Sequence, residues 1–281
     1  MKKIHQIKRK FILFSFLLIS FFARYSIYGN SLVNKDSLRI EVLLNEQMLL
    51  QDSILIDFNA SIEVTASQLV LLSSANRFYL LGWGGLESSG QVLSDSITSF
   101  AYSPDGYLLT VSRKSLCYLD STGKLETLRY LPNESLGIAS GENVIYFFDL
   151  KANKEKYPLY VMTKGGVLAE IFDVPDPITA VVEIDKTILF SSLNTLFAFD
   201  PKTKTLEAMA TIEKENIISI AINPESNTIY FASKDAVYAL KEHGITVITD
   251  KFGGILKYFN QSLMVFDASK KFLIRIVNFE K

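Results

Sequence analysis

Short apolar runs recur along this chain in groups of four, at intervals of about forty residues, from Ser61 to the C-terminus. The first run of successive groups begins at Ile97, Leu136, Ile178, Ile218 and Ile255, spacings of 39, 42, 40 and 37 residues. Small residues recur in these runs, among them Gly137, Ala139, Ala180 and Ala221. They suit strands crowded about a common axis, where side-chain volume is limited. The second runs, Tyr107–Ser112, Val144–Phe148, Thr187–Phe190, Thr228–Ala232 and Leu263–Phe266, are rich in apolar and β-branched residues. That is the pattern of strands buried on both faces. Third runs align most tightly, beginning at Phe78, Leu116, Leu159, Leu196 and Val237. Turn residues follow them at Asp120–Gly123, Thr163–Gly166, Asp200–Thr203 and Lys241–Gly244, and Ser103–Gly106 and Asn223–Ser226 separate first from second runs. Asp, Pro and Gly there supply turn geometry.

A period of this length built from four short strands predicts an all-β fold, a β-propeller of four-stranded antiparallel blades, in which radial sheets bury faces that no single sheet could cover. Counting cassettes gives six blades, the last starting at Ile255 and reaching Lys281 with only three strands. The segment Ser53–Phe58, with Ile54, Ile56 and Phe58 on one face, is expected to supply the fourth and close the ring, removing an open edge. Leu38–Leu44 also alternates and is expected as an extra strand or arm packed on the outside. The organisation so read is a signal peptide at 1–29, an N-terminal arm or extra strand at 30–52, and a single propeller domain at 53–281.

The signal reading rests on Lys2, Lys3, Lys8, Arg9 and Lys10 followed by the apolar run Phe11–Ala23. That run is too short for a spanning helix, which needs about 20 apolar residues, so no stable transmembrane span is expected after cleavage. No cysteine lies near the cleavage region, which excludes a lipoprotein. The expected location is therefore outside the cytoplasm, in the periplasm or at the cell surface. Residues 1–29 hold six Lys and Arg and no Asp or Glu, leaving 23 basic against 30 acidic side chains in the remainder. With no basic stripe, nucleic acid is excluded as a partner. The single cysteine excludes an internal disulfide framework.

Ser103-Pro-Asp-Gly106 between first and second strands, Leu119-Asp120 with Gly123-Lys124, and Phe199–Lys204 after third strands resemble the blades of bacterial six-bladed propellers of the NHL, PQQ-repeat and SMP-30-like group, over roughly residues 61–281. The resemblance implies that ligands bind near the axis, on the face that carries the blade-to-blade connections and the loops joining second to third strands. Candidate binding residues there are Asn76, Arg113, Glu134, Asp176, Asn194 and Glu215. Lys151, Lys154 and Tyr157 join them, because Phe147 to Leu159 spans twelve residues where other blades use about six. A longer charged loop is a common binding device. Resemblance to the SMP-30-like lactonases further implies a divalent cation held by carboxylates and amides, the roles of Glu134, Asp176 and Asn194.

Catalytic signatures of other kinds are missing. Of the two histidines only His243 follows the leader, and it falls in a turn. Cys117 stands where other repeats place Tyr79, Tyr160, Phe197 and Tyr238, so it reads as a packing residue. No G-x-S-x-G elbow or phosphate-binding loop occurs, and one tryptophan, Trp83, cannot form the repeated Trp motifs of quinoprotein dehydrogenases. These features lead to an expected function: an exported, non-enzymatic propeller, without cofactor or catalytic residues, that binds a protein, peptide or envelope glycan. The alternative is a metal-dependent lactonase-like hydrolase or lyase with an axial carboxylate and amide pocket.

Overall fold

The structure, a computed structural model, describes residues 38–279 apart from 52–53, 57–59, 66–68, 73–75, 83–84, 89–92, 94–95, 121–123, 135, 152–153 and 243. The expected signal peptide, Trp83 and His243 lie outside the described residues. Among the described residues no helix is long and apolar enough to cross a membrane.

The described residues begin with β1 (Arg39–Leu44) and a short helix, α1 (Glu46–Gln51). Among the described residues twenty-three strands follow. The first sheet holds β2 (Ser61–Val64), β3 (Leu69–Leu72), β4 (Phe78–Gly82) and β5 (Gly85–Ser88), and the second holds β6 (Ser99–Tyr102), β7 (Leu108–Ser112), β8 (Ser115–Leu119) and β9 (Leu125–Tyr130). The third holds β10 (Leu136–Ser140), β11 (Val144–Asp149), β12 (Tyr157–Thr163) and β13 (Leu168–Val174); the fourth, β14 (Ile178–Ile184), β15 (Thr187–Ser192), β16 (Thr195–Asp200) and β17 (Thr205–Thr211). The fifth holds β18 (Ser219–Ile222), β19 (Ile229–Ala232), β20 (Val237–Lys241) and β21 (Gly244–Thr249). These five are antiparallel meanders of consecutive strands. The sixth sheet is composite, in the order β1, β24 (Phe272–Val277), β23 (Ser262–Asp267), β22 (Ile255–Phe259). The first strands contact one another in succession, β2 to β6, β10, β14, β18 and β22, and β22 contacts β2. The architecture is a β-propeller of four-stranded antiparallel blades.

Closure corrects one expectation. The strand that completes the last sheet is Arg39–Leu44, not Ser53–Phe58, and Arg39–Leu44 is not an outer arm. It pairs antiparallel with β24, Arg39 opposite Val277 and Val42 opposite Ile274. Ile54 and Ile56 are apolar for another reason: with Leu44 and Leu49 they pack against Ile62, Met264, Phe266 and Leu273, filling the seam between the first and last sheets. Between β1 and this filler, Asn45 accepts a hydrogen bond from the Met48 amide at 2.9 Å, capping α1 and turning the chain across the seam.

Burial falls from the middle of each blade to its rim. The second strands β11, β15, β19 and β23 are buried along almost their whole length, whereas the outer strands β9, β17 and β21 are mostly exposed. Blades two to five share a bulge between their third and fourth strands, at Leu116/Cys117, Leu159/Tyr160, Leu196/Phe197 and Val237/Tyr238. One extra outer residue is accommodated each time, which increases twist at the rim.

Candidate functional site

The two ends of the axis carry different chemistry. Near the N-terminal ends of the first strands, hydroxyls stitch one blade to the next. Ser99 donates to the Leu136 carbonyl at 2.8 Å, Thr179 to the Ile217 carbonyl at 2.6 Å, and Ser219 to the Leu256 carbonyl at 3.2 Å while accepting from the Leu256 amide at 2.9 Å. Toward the C-terminal halves of the same strands lies a cavity of about 210 Å³. Its wall includes Ile138, Ala139 and Ser140 of β10, Val181 and Val182 of β14, and Ile220, Ala221 and Ile222 of β18.

Consecutive residues cannot all present side chains to one place, because strand side chains alternate with period two. Three neighbours in a row line the cavity because each first strand is the terminal strand of its sheet and turns an unpaired backbone edge to the axis. Strand edges therefore contribute peptide N–H and C=O groups to the wall, and these demand hydrogen-bond partners. Two charged side chains interrupt it. Glu63 of β2 and Lys257 of β22 line the cavity and pair across the seam at 2.8 Å, with only 15% and 27% of their side chains exposed. Tyr258 lines the cavity beside them. Tyr102, at the end of β6, has its phenol pushed up to about 12 by burial and, secondarily, by the charge of Glu63. At the same end, the Glu183 carboxylate accepts hydrogen bonds from the Tyr146 hydroxyl and the Glu142 amide, both at 3.0 Å. Burial and that carboxylate hold Tyr146 well above the usual phenol range. A side chain at Gly141 would press on the Glu183 carboxylate, the Tyr146 ring and Val144, so a larger residue there would displace this hydrogen-bonded group.

None of the nine residues nominated from the sequence lines this cavity. Asn76 and Arg113 adopt left-handed backbone in turns, and Asn76 accepts from the Leu93 and Ile97 amides. Asn194 spends its amide on the Ile212 carbonyl at 2.8 Å and accepts from the Thr195 hydroxyl. Asp176 is exposed, and Glu215 carries a buried carboxylate oxygen with no hydrogen-bond partner among the described residues. The other four converge on a residue the sequence reading passed over. Asp149, 0% exposed, ion-pairs with Lys154, accepts from the Lys151 amide at 2.9 Å and receives Asn133 at 3.4 Å. Glu134 reaches Lys151 at 3.5 Å, and the buried Tyr157 accepts from the Lys154 amide at 3.0 Å. The long loop is thus folded down over Asp149.

A signal for Asp149 existed in the repeat. It ends a second strand where other blades have Ser112, Ser233 and Asp267. Ser233 and Asp267 likewise accept amides from the loop that follows them. For the divalent cation that resemblance implied, the residues do not fit. Among the described residues no three His, Cys, Asp or Glu side chains are grouped to hold a metal ion, and Glu134 and Asn194 are engaged as described.

No known family profile matches the sequence, and no curated protein is significantly similar to it. Solved structures are similar in fold. One is a structural-genomics target provisionally classed as a gluconolactonase, with a TM-score of 0.66 and 12% identity over 85% of this chain and 92% of that one. A gluconolactonase from Xanthomonas campestris superposes with a TM-score of 0.66 and 14% identity, over 85% and 89% of the two chains. A chain of the nidogen/laminin complex gives a TM-score of 0.59 at 11% identity, over 75% of this chain and 98% of that one. At such identities the likeness establishes the propeller fold. The expectation of a non-enzymatic binding protein is nevertheless corrected here. It rested on the absence of familiar catalytic motifs, and two of these neighbours are described as lactone hydrolases on the same scaffold, which favours the alternative.

Proposed function

We propose that this chain is a lactonase-like hydrolase on a six-bladed propeller closed by β1, acting outside the cytoplasm on a single-ring lactone of sugar size. The axial cavity with its Glu63–Lys257 pair carries the reading. About 210 Å³ is below the ~300–1,000 Å³ of pockets for drug-sized ligands, and suits one small ring. A wall of strand edges offers donors and acceptors in alternation, which matches hydroxyl groups that both donate and accept.

The chemistry asked of the pair is general-base hydrolysis. Water adds to the lactone carbonyl carbon as Glu63 takes its proton, and the carbonyl π electrons move onto oxygen beside the Lys257 ammonium. Collapse breaks the ring C–O bond. The alkoxide takes the proton back from Glu63, giving a hydroxy acid and restoring the carboxylate. A positioned base of this kind contributes about 10²–10⁴ in rate.

Acid release from glucono-1,5-lactone and related five- and six-membered lactones, followed by pH-stat, tests the proposal. The wild-type chain should exceed the spontaneous rate, and Glu63→Gln should lose about 100-fold or more of kcat. A wild-type rate equal to buffer across the panel would reject it.

A further inference from the structure

We infer that the ammonium of Lys257 takes the electrophilic role in the axial cavity and that ligand binding there needs no divalent cation. The inference rests on the reading of the cavity as a lactone site. Three observations carry it.

Among the described residues the cavity wall contributes one carboxylate, Glu63, and no second Asp, Glu, His or Cys. Calcium takes six to eight oxygen ligands and zinc three or four strong ones, so a single carboxylate does not make a site for either. That carboxylate is already engaged, with Lys257 Nζ 2.8 Å from its Oε2. A metal ion bound to Glu63 would stand beside a fixed positive charge.

Lys257 is also placed to act. It projects from β22, which pairs with β23 along its length, so the base of the side chain is fixed by a strand. Its ammonium has three N–H donors, and the bond to Glu63 uses one. The others can reach a carbonyl oxygen seated next to the pair. A donor already aimed at the site of developing negative charge costs no reorganisation during reaction. Glu63 and Lys257 come from the first and last sheets, so base and electrophile stand side by side at the seam and meet the ring together.

The test uses the full chain, dialysed against EDTA or supplied with millimolar calcium or zinc. Two quantities are read: hydrolysis of glucono-1,5-lactone, and calorimetric binding of the corresponding lactam, which cannot be hydrolysed on that timescale. EDTA should change neither. Lys257→Met should lower kcat/KM by about 100-fold and weaken the lactam about tenfold, while Lys257→Arg, which keeps the cation and its partner, should retain more of both. Melting curves of both variants confirm that they are folded, and the Arg variant decides if the Met variant is not. Loss of activity or lactam binding in EDTA with recovery on adding metal would overturn the inference and leave the lactonase reading standing. So would a folded Lys257→Met chain with both quantities unchanged. If no lactone is hydrolysed, the lactonase reading falls and the lactam decides: EDTA-insensitive binding that depends on Lys257 supports the inference, and absence of binding overturns it.

Discussion

At the scale of single residues, the repeat explains the ordinary positions and isolates the odd ones. In the third, fourth and fifth blades an aromatic on the second strand faces an aromatic on the third: Phe147 opposite Tyr160, Phe190 opposite Phe197, Phe231 opposite Tyr238. The last two pairs stack with centroids 5.3 and 5.2 Å apart. The second blade replaces this pair with Thr110 opposite Cys117. Thr110 is 0% exposed and its hydroxyl is buried with no hydrogen-bond partner among the described residues. A buried hydroxyl left unsatisfied costs roughly 1–3 kcal/mol. Thr110→Val, which keeps the branched shape and removes that group, should therefore stabilise the fold by about 1 kcal/mol, read as a higher urea midpoint at unchanged slope. A lower midpoint would show that the hydroxyl is satisfied.

Elements bring a different logic, because the strands are set locally but their partners are not. Ser219 illustrates how one strand holds the next. Its hydroxyl donates to the Leu256 carbonyl and accepts from the Leu256 amide, in buried surroundings. Ser219→Ala removes both bonds and leaves a buried N–H without a partner, so it should cost about 1–3 kcal/mol in urea unfolding. Strand positions were legible in the sequence because apolar runs and turn residues are local signals; predicted and observed starts coincide at Ser61, Leu136, Ile178 and Ile255. The closing strand was not. Arg39–Leu44 and Ser53–Phe58 both alternate with period two, and periodicity names a strand without naming its neighbour. Asn45, ahead of a short apolar run, was the one local hint that the chain turns helical between them. The cavity was missed for a related reason. Glu63 and Lys257 are the third residues of their first strands, the position that Ile138 holds in β10. Charge at an inner-strand position was an exception to the repeat. The exceptions in the loops lie instead toward the end of the axis where the Ser99, Thr179 and Ser219 hydroxyls join one blade to the next.

Over the whole molecule, stability depends on a seam. Five sheets are continuous in sequence, but the sixth joins the two ends of the described chain. The β1–β24 ladder, the Glu63–Lys257 pair and the Lys271–Glu46 pair at 2.9 Å all cross or flank that joint. The exposed Lys271 pair contributes little by itself. The ladder and the buried Leu44 contribute most, so deleting residues 38–44 should lower the melting temperature and expose the β24 amides to exchange as an open edge. Unchanged protection at Leu273, Ile274 and Ile276 would show that β24 does not need its outer partner.

The cavity wall has a consequence for how such a protein can diverge. Part of it is strand edge, and peptide backbone is the one part of a polypeptide that substitution does not rewrite. Side chains on β10, β14 and β18 can change to suit the cores between blades while the receptacle keeps its surface. What the receptacle does is then governed by the few positions where a side chain reaches inward. In this chain, two charges on neighbouring strands are what set the receptacle apart from a plain one.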